Sequence, residues 1–349
     1  MVTIGDVARH ARVSRSTVSY VLSGKRPVSA TVAERVRSSI AGLGYYANAS
    51  AKALATNRSS VIGLVLPIRA ETQHRVMMEF LMAVASRARQ HGNDVLLLTE
   101  KEGSEALRRA ASGLVDGLVL LDVQLEDPRR ELLGTLGKPS VLIGMPSDTH
   151  ELICVDFDFE AAGALCVRHL ADLGHRTVGF LGQPGTVYQA HYGYGDHTLD
   201  GAKVAARQRG ITIVSAPCPP LAGALATLMA AKPTGLVIHN ESVLPDVRRW
   251  AEGSGLSVPD DLSVVAVCPS DVAEESWPGI AHVALPVSEL CDLAVDLLVA
   301  RIEGTRTPSA TLLAPRLAIG RTTAGPGTAV RTSPAKARAS AHRSRARER

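Results

Sequence analysis

The stretch VSRSTVSYVLSGKRPVS, residues 13–29, combines hydroxyl-bearing and apolar residues at helical spacing. Ser14 stands before the pattern and can accept a backbone N–H of the first turn, so it is predicted to cap a helix. Val18, Val21 and Leu22 then fall on one face. The opposite face is polar, which predicts a short helix that packs on one side and meets a polar partner on the other.

Two further helices are predicted around this one. In TIGDVARHA, residues 3–11, Thr3 and Asp6 have the spacing of a capping box, and apolar residues follow at helical period. Only Arg12 and Val13 separate this helix from the next, which is the connection of a helix-turn-helix. A third helix is expected after Ser29, and its apolar residues would complete a shared core: Val32, Val36, Ile40 and Leu43. The alternative is a small helical cap on a larger domain.

Positive charge is concentrated in the same region. Residues 1–60 hold nine Lys or Arg against two acidic residues, a net charge of +7, whereas the whole chain is only +4. Such a concentration is typical of a surface that binds phosphate groups. It favours a nucleic-acid-binding domain over a helical cap.

The segments TIGDVARHARVSRSTVSYVLSG, residues 3–24, and RVRSSIAGLGYYAN, residues 35–48, resemble the DNA-binding domain of the LacI/GalR family of bacterial transcription regulators. In that family the second helix enters the major groove. The resemblance implies base contacts by Arg15, Ser16 and Tyr20. Contacts with the phosphates are expected from Ser14, Thr17 and Ser19. The basic residues Lys25 and Arg26 are also assigned to DNA.

Two residues depart from the family pattern. Arg12 stands in the turn where the family usually carries Gly or Ala, and we expect little consequence because Arg tolerates most turn geometries. Tyr20 stands where many members have Arg, so a bidentate contact with guanine is replaced by a phenol that reads a base or packs. The preferred operator is expected to differ at that step.

Residues 48–60, NASAKALATNRSS, resemble the family's hinge helix. Isolated helices shorter than about 12–15 residues are marginal in water, so this one is expected to be frayed until a partner binds it. The resemblance implies that Leu54 enters the minor groove. Asn48 is a candidate cap for this helix, and Lys52 is assigned to a phosphate of the DNA. The alternative is an ordinary linker.

Residues 61–323 alternate short apolar runs such as VIGLVL and LSVVAV with helical stretches. Continuous apolar strands between helices predict parallel sheets covered on both faces, and the length predicts two α/β lobes with a ligand cleft at the strand ends. This region also resembles the family. The predicted fold class is therefore an N-terminal all-α helix-turn-helix domain, residues 1–47, followed after the hinge by a two-lobed periplasmic-binding-protein-like core.

The expected effector residues depart most from the family. The resemblance would place a ligand-clamping Arg three residues before Gly201 and an Asp after the strand VVAV, but Thr198 and Cys268 occupy these positions. The aromatic segment YQAHYGYGDH, residues 188–197, is interpreted as a wall that contacts the effector, or alternatively as a solvated loop. The residues assigned to the effector site are His74, Arg75, Tyr192, Tyr194, His197, Thr198, Asn240 and Cys268. Without the Arg and the Asp, we expect an effector other than a simple sugar held in the family's usual way.

Little in the sequence supports a metal site, a cofactor site or catalysis. The five Cys form no C-x-x-C pair, and no catalytic or phosphate-binding motif is present, so we expect no metal, no cofactor and no enzyme. The first twenty residues lack the apolar region of a secretion signal, and no apolar run is long enough to span a membrane, so we expect a cytoplasmic protein. Residues 324–349 carry seven basic residues and one acid with little to bury, and they predict a disordered basic tail.

Three classes of function are compatible with parts of this sequence. A transcription regulator explains the basic head, the hinge and the cleft together. A solute-binding protein explains only the lobes and requires an export signal, and an enzyme requires a catalytic constellation. The sequence therefore predicts a homodimeric regulator, by family habit a repressor, that binds a near-palindromic operator and a small-molecule effector of unknown identity. Control by a protein partner without any effector is the alternative within this class.

Overall fold

The computed structural model describes residues 2–23, 26–45, 58–67, 74–99, 104–149 and 152–327. Its N-terminal head consists of three helices: α1 (Ile4–Ala11), α2 (Arg15–Ser23) and α3 (Ala30–Leu43). Their apolar faces form one small core around the buried side chains of Val7, Val18 and Val36. The three-helix head predicted from the sequence is confirmed.

Side-chain caps define where the first two helices begin. Thr3 and Asp6 form the predicted capping box, in which the Asp6 carboxylate accepts the backbone N–H of Thr3 at 2.8 Å. The hydrogen bonds from Thr3, together with the ion pair to Arg9, lower the pKa of Asp6 to about 2. Ser14 caps α2, because its Oγ accepts the backbone N–H of Thr17 at 3.1 Å.

Two expectations for the head were wrong in detail. Leu22 was expected in the core but is 41% exposed, since α2 turns only Val18 and Val21 toward the other helices. Arg12 was expected to fit the turn without consequence, yet its φ of 54° lies in the left-handed region. A residue with a Cβ adopts that conformation at a cost of about 1 kcal/mol, which explains why Gly suits this position.

The first lobe is built on a parallel sheet that begins after the head. Its elements, in chain order, are β1 (Val61–Val65), α4 (His74–Gln90), β2 (Asp94–Leu98), α5 (Ser104–Arg109), β3 (Gly117–Leu120), α6 (Arg130–Thr135), β4 (Ser140–Ile143) and β5 (Ile153–Phe157). Every residue of β3 and β5 is buried. This burial explains their continuous apolar sequences.

The second lobe repeats the same α/β architecture. Its elements are α7 (Phe159–Asp172), β6 (Thr177–Gly182), α8 (Gly185–Gln189), α9 (Gly193–Arg209), β7 (Thr212–Pro217), α10 (Leu221–Ala230), β8 (Gly235–Ile238), α11 (Leu244–Gly253), β9 (Ser263–Cys268), α12 (Ser270–Ser276) and β10 (Ala281–Ala284). A short 3₁₀ turn, Glu241–Val243, joins β8 to α11. All residues of β8 and β9 are buried.

The chain then passes back through both lobes. It continues with α13 (Val287–Ile302), β11 (Ala310–Leu313) and β12 (Leu317–Ala318). The first sheet has the strand order β11-β5-β4-β3-β1-β2, and the second has the order β12-β10-β9-β8-β6-β7, in which β12 is antiparallel to β10. Three crossings between lobes follow β5, β10 and β11. The predicted two-lobed α/β core is confirmed.

The end of the second lobe extends slightly beyond the predicted boundary. Ala324 was assigned to the tail, but its carbonyl accepts hydrogen bonds from His175 Nε2 and Ser263 Oγ, both at 2.9 Å. These bonds attach the segment to the sheet as far as Ala324. The rest of the predicted tail, residues 328–349, lies outside the described residues. None of the helices in the described part of the chain has the length and hydrophobicity that a bilayer span requires.

Two glycines allow helices α7 and α9 of the second lobe to cross with their backbones in contact. A Cβ on Gly163 would lie 1.9 Å from the carbonyl oxygen of Thr198, and one on Gly201 would lie 1.9 Å from the carbonyl oxygen of Glu160. Real Cβ atoms do not approach backbone this closely, so any side chain here must force the helices apart. The position of α9, which carries part of the cleft wall, depends on this crossing.

We expect Gly201→Ala to lower the Tm of the protein by several degrees, because overpacking at a rigid backbone contact costs about 1–3 kcal/mol or more. Gly134→Ala is the control, since this exposed glycine of α6 has open space around it. That variant should keep or slightly raise the Tm, because Ala in place of an exposed helical Gly gains at most about 1 kcal/mol of helix propensity. Thermal unfolding followed by circular dichroism measures both, and equal Tm values would contradict the helix-crossing argument.

Candidate DNA-binding surface and interlobe cavity

The polar face of α2 carries the residues that the sequence assigned to DNA. Arg15 and Ser16 are exposed, and Thr17, Ser19 and Tyr20 are partly exposed. The hydroxyl oxygens of Ser16 and Thr17 lie 2.7 and 2.8 Å from Ser14 Oγ, so three hydroxyl groups cluster at the N-terminus of the helix. A helix N-terminus offers unpaired backbone N–H groups and a positive dipole, which suits a phosphate oxygen.

Arginine side chains surround this face. Arg9, Arg12, Arg15 and Arg26 are all exposed. The guanidinium of Arg26 lies 5.4 Å from the ring centroid of Tyr20, a cation–π contact that holds the phenol against the surface of the head. The structure therefore brings Tyr20 and Arg26 together, an association that the sequence analysis did not anticipate.

Several residues assigned to DNA lie outside the described residues. These are Lys25 after α2 and the hinge residues Asn48, Lys52 and Leu54. Their roles remain predictions from the resemblance.

A cavity of about 420 Å³ lies between the lobes. It is bounded by the carboxyl ends of strands from both sheets, including β3, β4 and β5 of the first lobe and β6, β8 and β9 of the second. This is the edge at which ligands bind to parallel sheets. Aliphatic side chains such as Val76, Leu121 and Leu290 make much of its wall.

Aromatic side chains form a cluster on one side of this cavity. The ring centroids of Phe159, Tyr194 and His239 lie 6.1–6.4 Å from one another, and the Tyr192 ring stacks on that of Tyr194 at 6.1 Å with an interplanar angle of 19°. All four residues line the cavity. Aromatic pairs prefer such separations, so the cluster is a stable wall even without a ligand.

Three titratable side chains on the cavity wall have displaced pKa values. Burial raises the pKa of Asp156 to about 7 and the pKa of Glu241 to about 7, because desolvation disfavours the carboxylate. Asp156 still accepts the backbone N–H of Phe157 at 2.8 Å. Burial also lowers the pKa of His239 to about 3, so its imidazole is neutral at physiological pH.

Three of the residues that the sequence assigned to the effector lie on the cavity wall. They are Tyr192, Tyr194 and Cys268. Cys268 ends β9 and is 1% exposed, and burial raises the pKa of its thiol above the ordinary value. The segment 188–197 is therefore a structured part of the cavity wall, because α8 and the start of α9 hold it in place.

Two other assigned residues are buried beside the cavity and do not line it. Thr198 is 0% exposed, and its hydroxyl donates to the carbonyl of Tyr194 at 2.7 Å, one helical turn back. The Asn240 side chain donates to the carbonyl of Cys218 at 2.7 Å, while its Oδ1 caps the following 3₁₀ turn at Ser242. Both side chains are engaged with backbone, and the structure gives them a supporting position rather than a place on the wall.

Two further assigned residues, His197 and Arg75, also lie off the cavity wall. His197 packs beside Gly193 at the start of α9. Arg75, at the start of α4, forms ion pairs across the cleft with Glu275 at 2.6 Å and Asp271 at 3.3 Å, both on α12. His74 begins α4, and its side chain lies outside the described residues.

The lobes are also joined by main-chain hydrogen bonds. Leu125 N–H donates to the carbonyl of His191 at 2.9 Å, and Gly193 N–H donates to the carbonyl of Val123 at 3.3 Å. These bonds connect the loop after β3 to the aromatic segment of the second lobe. Together with the Arg75 ion pairs, they hold the cleft closed.

Three cavity residues that carry chemistry were not among those assigned to the effector from the sequence: Asp156, His239 and Glu241. The sequence does mark these residues, because each is a polar residue within or just after an apolar strand. The strand ICVDF contains Asp156, and the segment GLVIHNES contains His239 and Glu241. Polar residues at the carboxyl end of a buried parallel strand point into a cleft. The neighbouring Asp158 caps α7, since its carboxylate accepts the backbone N–H of Ala161 at 2.8 Å.

Comparisons with known proteins agree with this architecture. Residues 3–48 match the family described as bacterial regulatory proteins, lacI family, and residues 167–323 match the periplasmic binding protein-like domain. The regulator CelR of Thermobifida fusca is 29% identical over 336 residues, which cover 87% of this chain and 93% of CelR. The regulator MalR of Staphylococcus xylosus is 30% identical, over 53% of this chain and 57% of MalR.

Solved structures show the same arrangement of head and lobes. The lac repressor dimer bound to operator and the anti-inducer ONPF is 25% identical with a TM-score of 0.79, covering 93% of this chain and 99% of that one. The complex of CelR with cellobiose is 25% identical with a TM-score of 0.65, covering 92% of this chain and all of that chain. The two domain matches, their order along the chain and the full-length structural similarity lead to one conclusion: the chain belongs to the LacI family of bacterial transcription regulators.

Proposed function

We propose that this protein represses transcription by binding a near-palindromic operator as a homodimer, and that a small molecule in the interlobe cavity controls the affinity for DNA. The observation that carries the proposal is the polar face of α2, where exposed Arg15 and Ser16 stand beside a hydroxyl cluster at the helix N-terminus. A helix with this face on a basic three-helix head fits the major groove.

The chemistry of each polar side chain on α2 determines which part of the DNA it contacts. Arg15 reads a base edge, since a guanidinium can donate two parallel hydrogen bonds to guanine. Ser14 and Thr17 hold a phosphate at the helix N-terminus, where hydroxyl and backbone donors converge. Tyr20, kept in place by Arg26, contacts a base or a sugar with its ring and hydroxyl.

The cavity suits an effector because its walls come from both lobes. A ligand that contacts Tyr194 from one lobe and Asp156 from the other changes the free energy of closure, and closure changes how the heads of a dimer are spaced. The binding of DNA and of effector are then coupled reciprocally. Catalysis is not part of this proposal, since burial leaves the cavity's thiol, Cys268, protonated and therefore a poor nucleophile.

Footprinting of the full-length protein on its operator should show two symmetric protected halves. One head covers only a half-site, so high affinity requires two heads on a two-fold axis. The related lac repressor structure is a dimer on operator DNA. A monomer that protects a single half-site with full affinity at physiological salt would contradict the homodimer proposal.

Arg15→Ala should weaken operator binding and relax the preference at one base pair by about 1–3 kcal/mol, because it removes a base contact. Arg37→Ala is the matched control, since it removes the same charge from an exposed position on α3. That variant should lower all affinities by a similar small factor and leave discrimination unchanged. Binding isotherms on a panel of operator variants compare the two, and unchanged discrimination in Arg15→Ala would refute the base-reading role.

Removal of residues 328–349 should leave operator recognition intact and lower the affinity for nonspecific DNA. The segment carries seven basic residues and one acidic residue, which attract phosphates without reading bases. Ending the chain at Gly327 preserves the hydrogen bonds of Ala324. The ratio of specific to nonspecific affinity should rise, and a truncated protein that fails to dimerise would show that the segment is structural.

A further inference from the structure

The cavity wall is acidic. Asp122, Asp156 and Glu241 line it, and none of the described residues that line it is Lys or Arg. Asp156 belongs to the first lobe and Glu241 to the second, so acidic residues from opposite lobes line one cavity. An anionic ligand would meet repulsion here and no cationic partner.

The aromatic cluster of Phe159, Tyr192, Tyr194 and His239 stands on the same wall. The chain has only twelve Phe, Tyr and Trp residues, and four of them line the cavity: Phe80, Phe159, Tyr192 and Tyr194. Ring faces attract cations, and the attraction reaches about 2 kcal/mol or more where water is excluded. Acids and ring faces together form an environment for a positive charge attached to an apolar body.

One buried polar atom on this wall lacks a partner. His239 is 3% exposed, and among the described residues its Nδ1 has no hydrogen-bond partner. Its Nε2 lies 3.4 Å from the hydroxyl of Thr198. A buried imidazole nitrogen without a hydrogen-bond partner costs about 1–3 kcal/mol.

We propose that the interlobe cavity binds an organic cation, an ammonium group carried on an aromatic or aliphatic body, with the charge held between Asp156 and Glu241 and against the rings of Phe159 and Tyr194. This inference rests on the proposed function in taking the cavity as the effector site. A metal ion does not fit the same site, because no group of three His, Cys, Asp or Glu residues in the described ranges is arranged to hold one.

A simple sugar is a poorer fit for the same walls. Its hydroxyl groups would face the aliphatic surface of Val76, Leu121 and Leu290, and each hydroxyl buried without a partner costs about 1–3 kcal/mol. An amine concentrates its polarity at one end, where the carboxylates lie. The amine also bridges the two lobes, which makes binding favour closure.

The decisive experiment compares ligands that share a body and differ in charge. Full-length protein is titrated calorimetrically with 2-phenylethylamine, 2-phenylethanol, 3-phenylpropionate and cellobiose, and tryptamine and cyclohexylmethylamine extend the amine series. At least one amine should bind at least about tenfold more tightly than the alcohol, and the carboxylate should not bind measurably. Failure of all three amines, or equal binding by the alcohol or cellobiose, would overturn the proposal.

Three variants locate the charge. Glu241→Gln and Asp156→Asn keep the shape of the side chain, and each should reduce amine affinity at least about tenfold while leaving alcohol affinity unchanged. Glu289→Gln, at an exposed position in the first turn of α13, is the control and should change neither. If Asp156→Asn does not fold, Glu241→Gln and the ligand series still decide the question. An unchanged amine affinity in both cavity variants would place the charge elsewhere.

Proton release provides a second readout. A bound ammonium group stabilises the carboxylates, so an amine that binds at pH 7 should displace protons from Asp156 and Glu241, whose pKa values burial raises to about 7. The titratable groups around these two are Cys154, Asp158, Asp122, Tyr192, Tyr194, His239 and Cys268. Calorimetry in two buffers of different ionisation enthalpy measures the release. Binding without proton release would contradict a site between the two carboxyl groups.

A gel shift with operator DNA separates this inference from the proposed function. If the protein binds DNA and no amine binds the cavity, the ligand class is wrong and the regulator stands. If amines bind the cavity but the protein binds no DNA, the proposed function fails while the cation site remains.

Discussion

Burial of both faces of the two parallel sheets is the constraint on which the rest of the structure depends. Strands such as β5, β8 and β9 are covered on each side, so a polar side chain can leave the core only at the end of a strand. The lobes set these carboxyl ends against each other. Asp156, His239 and Cys268, which are distant in sequence, therefore line one cavity. The same burial displaces their pKa values, because the cavity has few groups that can replace water around a charge.

Closure of the cleft depends on contacts of two kinds. The ion pairs of Arg75 with Asp271 and Glu275 are partly exposed, so each contributes little by itself. The main-chain hydrogen bonds at Leu125 and Gly193 are directional and fix the aromatic segment against the first lobe. A bound ligand adds to a closed state that is already held by modest interactions. Such a balance is what a regulator requires, because a ligand shifts an equilibrium only by its differential affinity for the two states.

The head shows how a small domain divides its surface. Its core is a handful of Val and Ala side chains, which leaves most of α2 available for polar contacts. The capping hydroxyls of Ser14 and Thr3 stabilise the helix starts, and the Ser14 cluster also presents donors at the surface. Arg12 keeps a left-handed turn conformation that glycine adopts more easily. Arg12 places a positive charge at this exposed position, and its backbone conformation lowers the stability of the turn.

The sequence by itself determined the local features: the capping box at Thr3, the cap at Ser14, the three-helix head and the alternation of buried strands and helices. These depend on neighbours within a few residues and on hydrophobic periodicity, which are readable along the chain. Tertiary structure alone decided which polar residues share the cavity. Thr198 and Asn240 have the right sequence positions, yet hydrogen bonds to backbone turn them away from it. Asp156 and Glu241 line one cavity only because two separate lobes face one another, and no local sequence pattern encodes that arrangement.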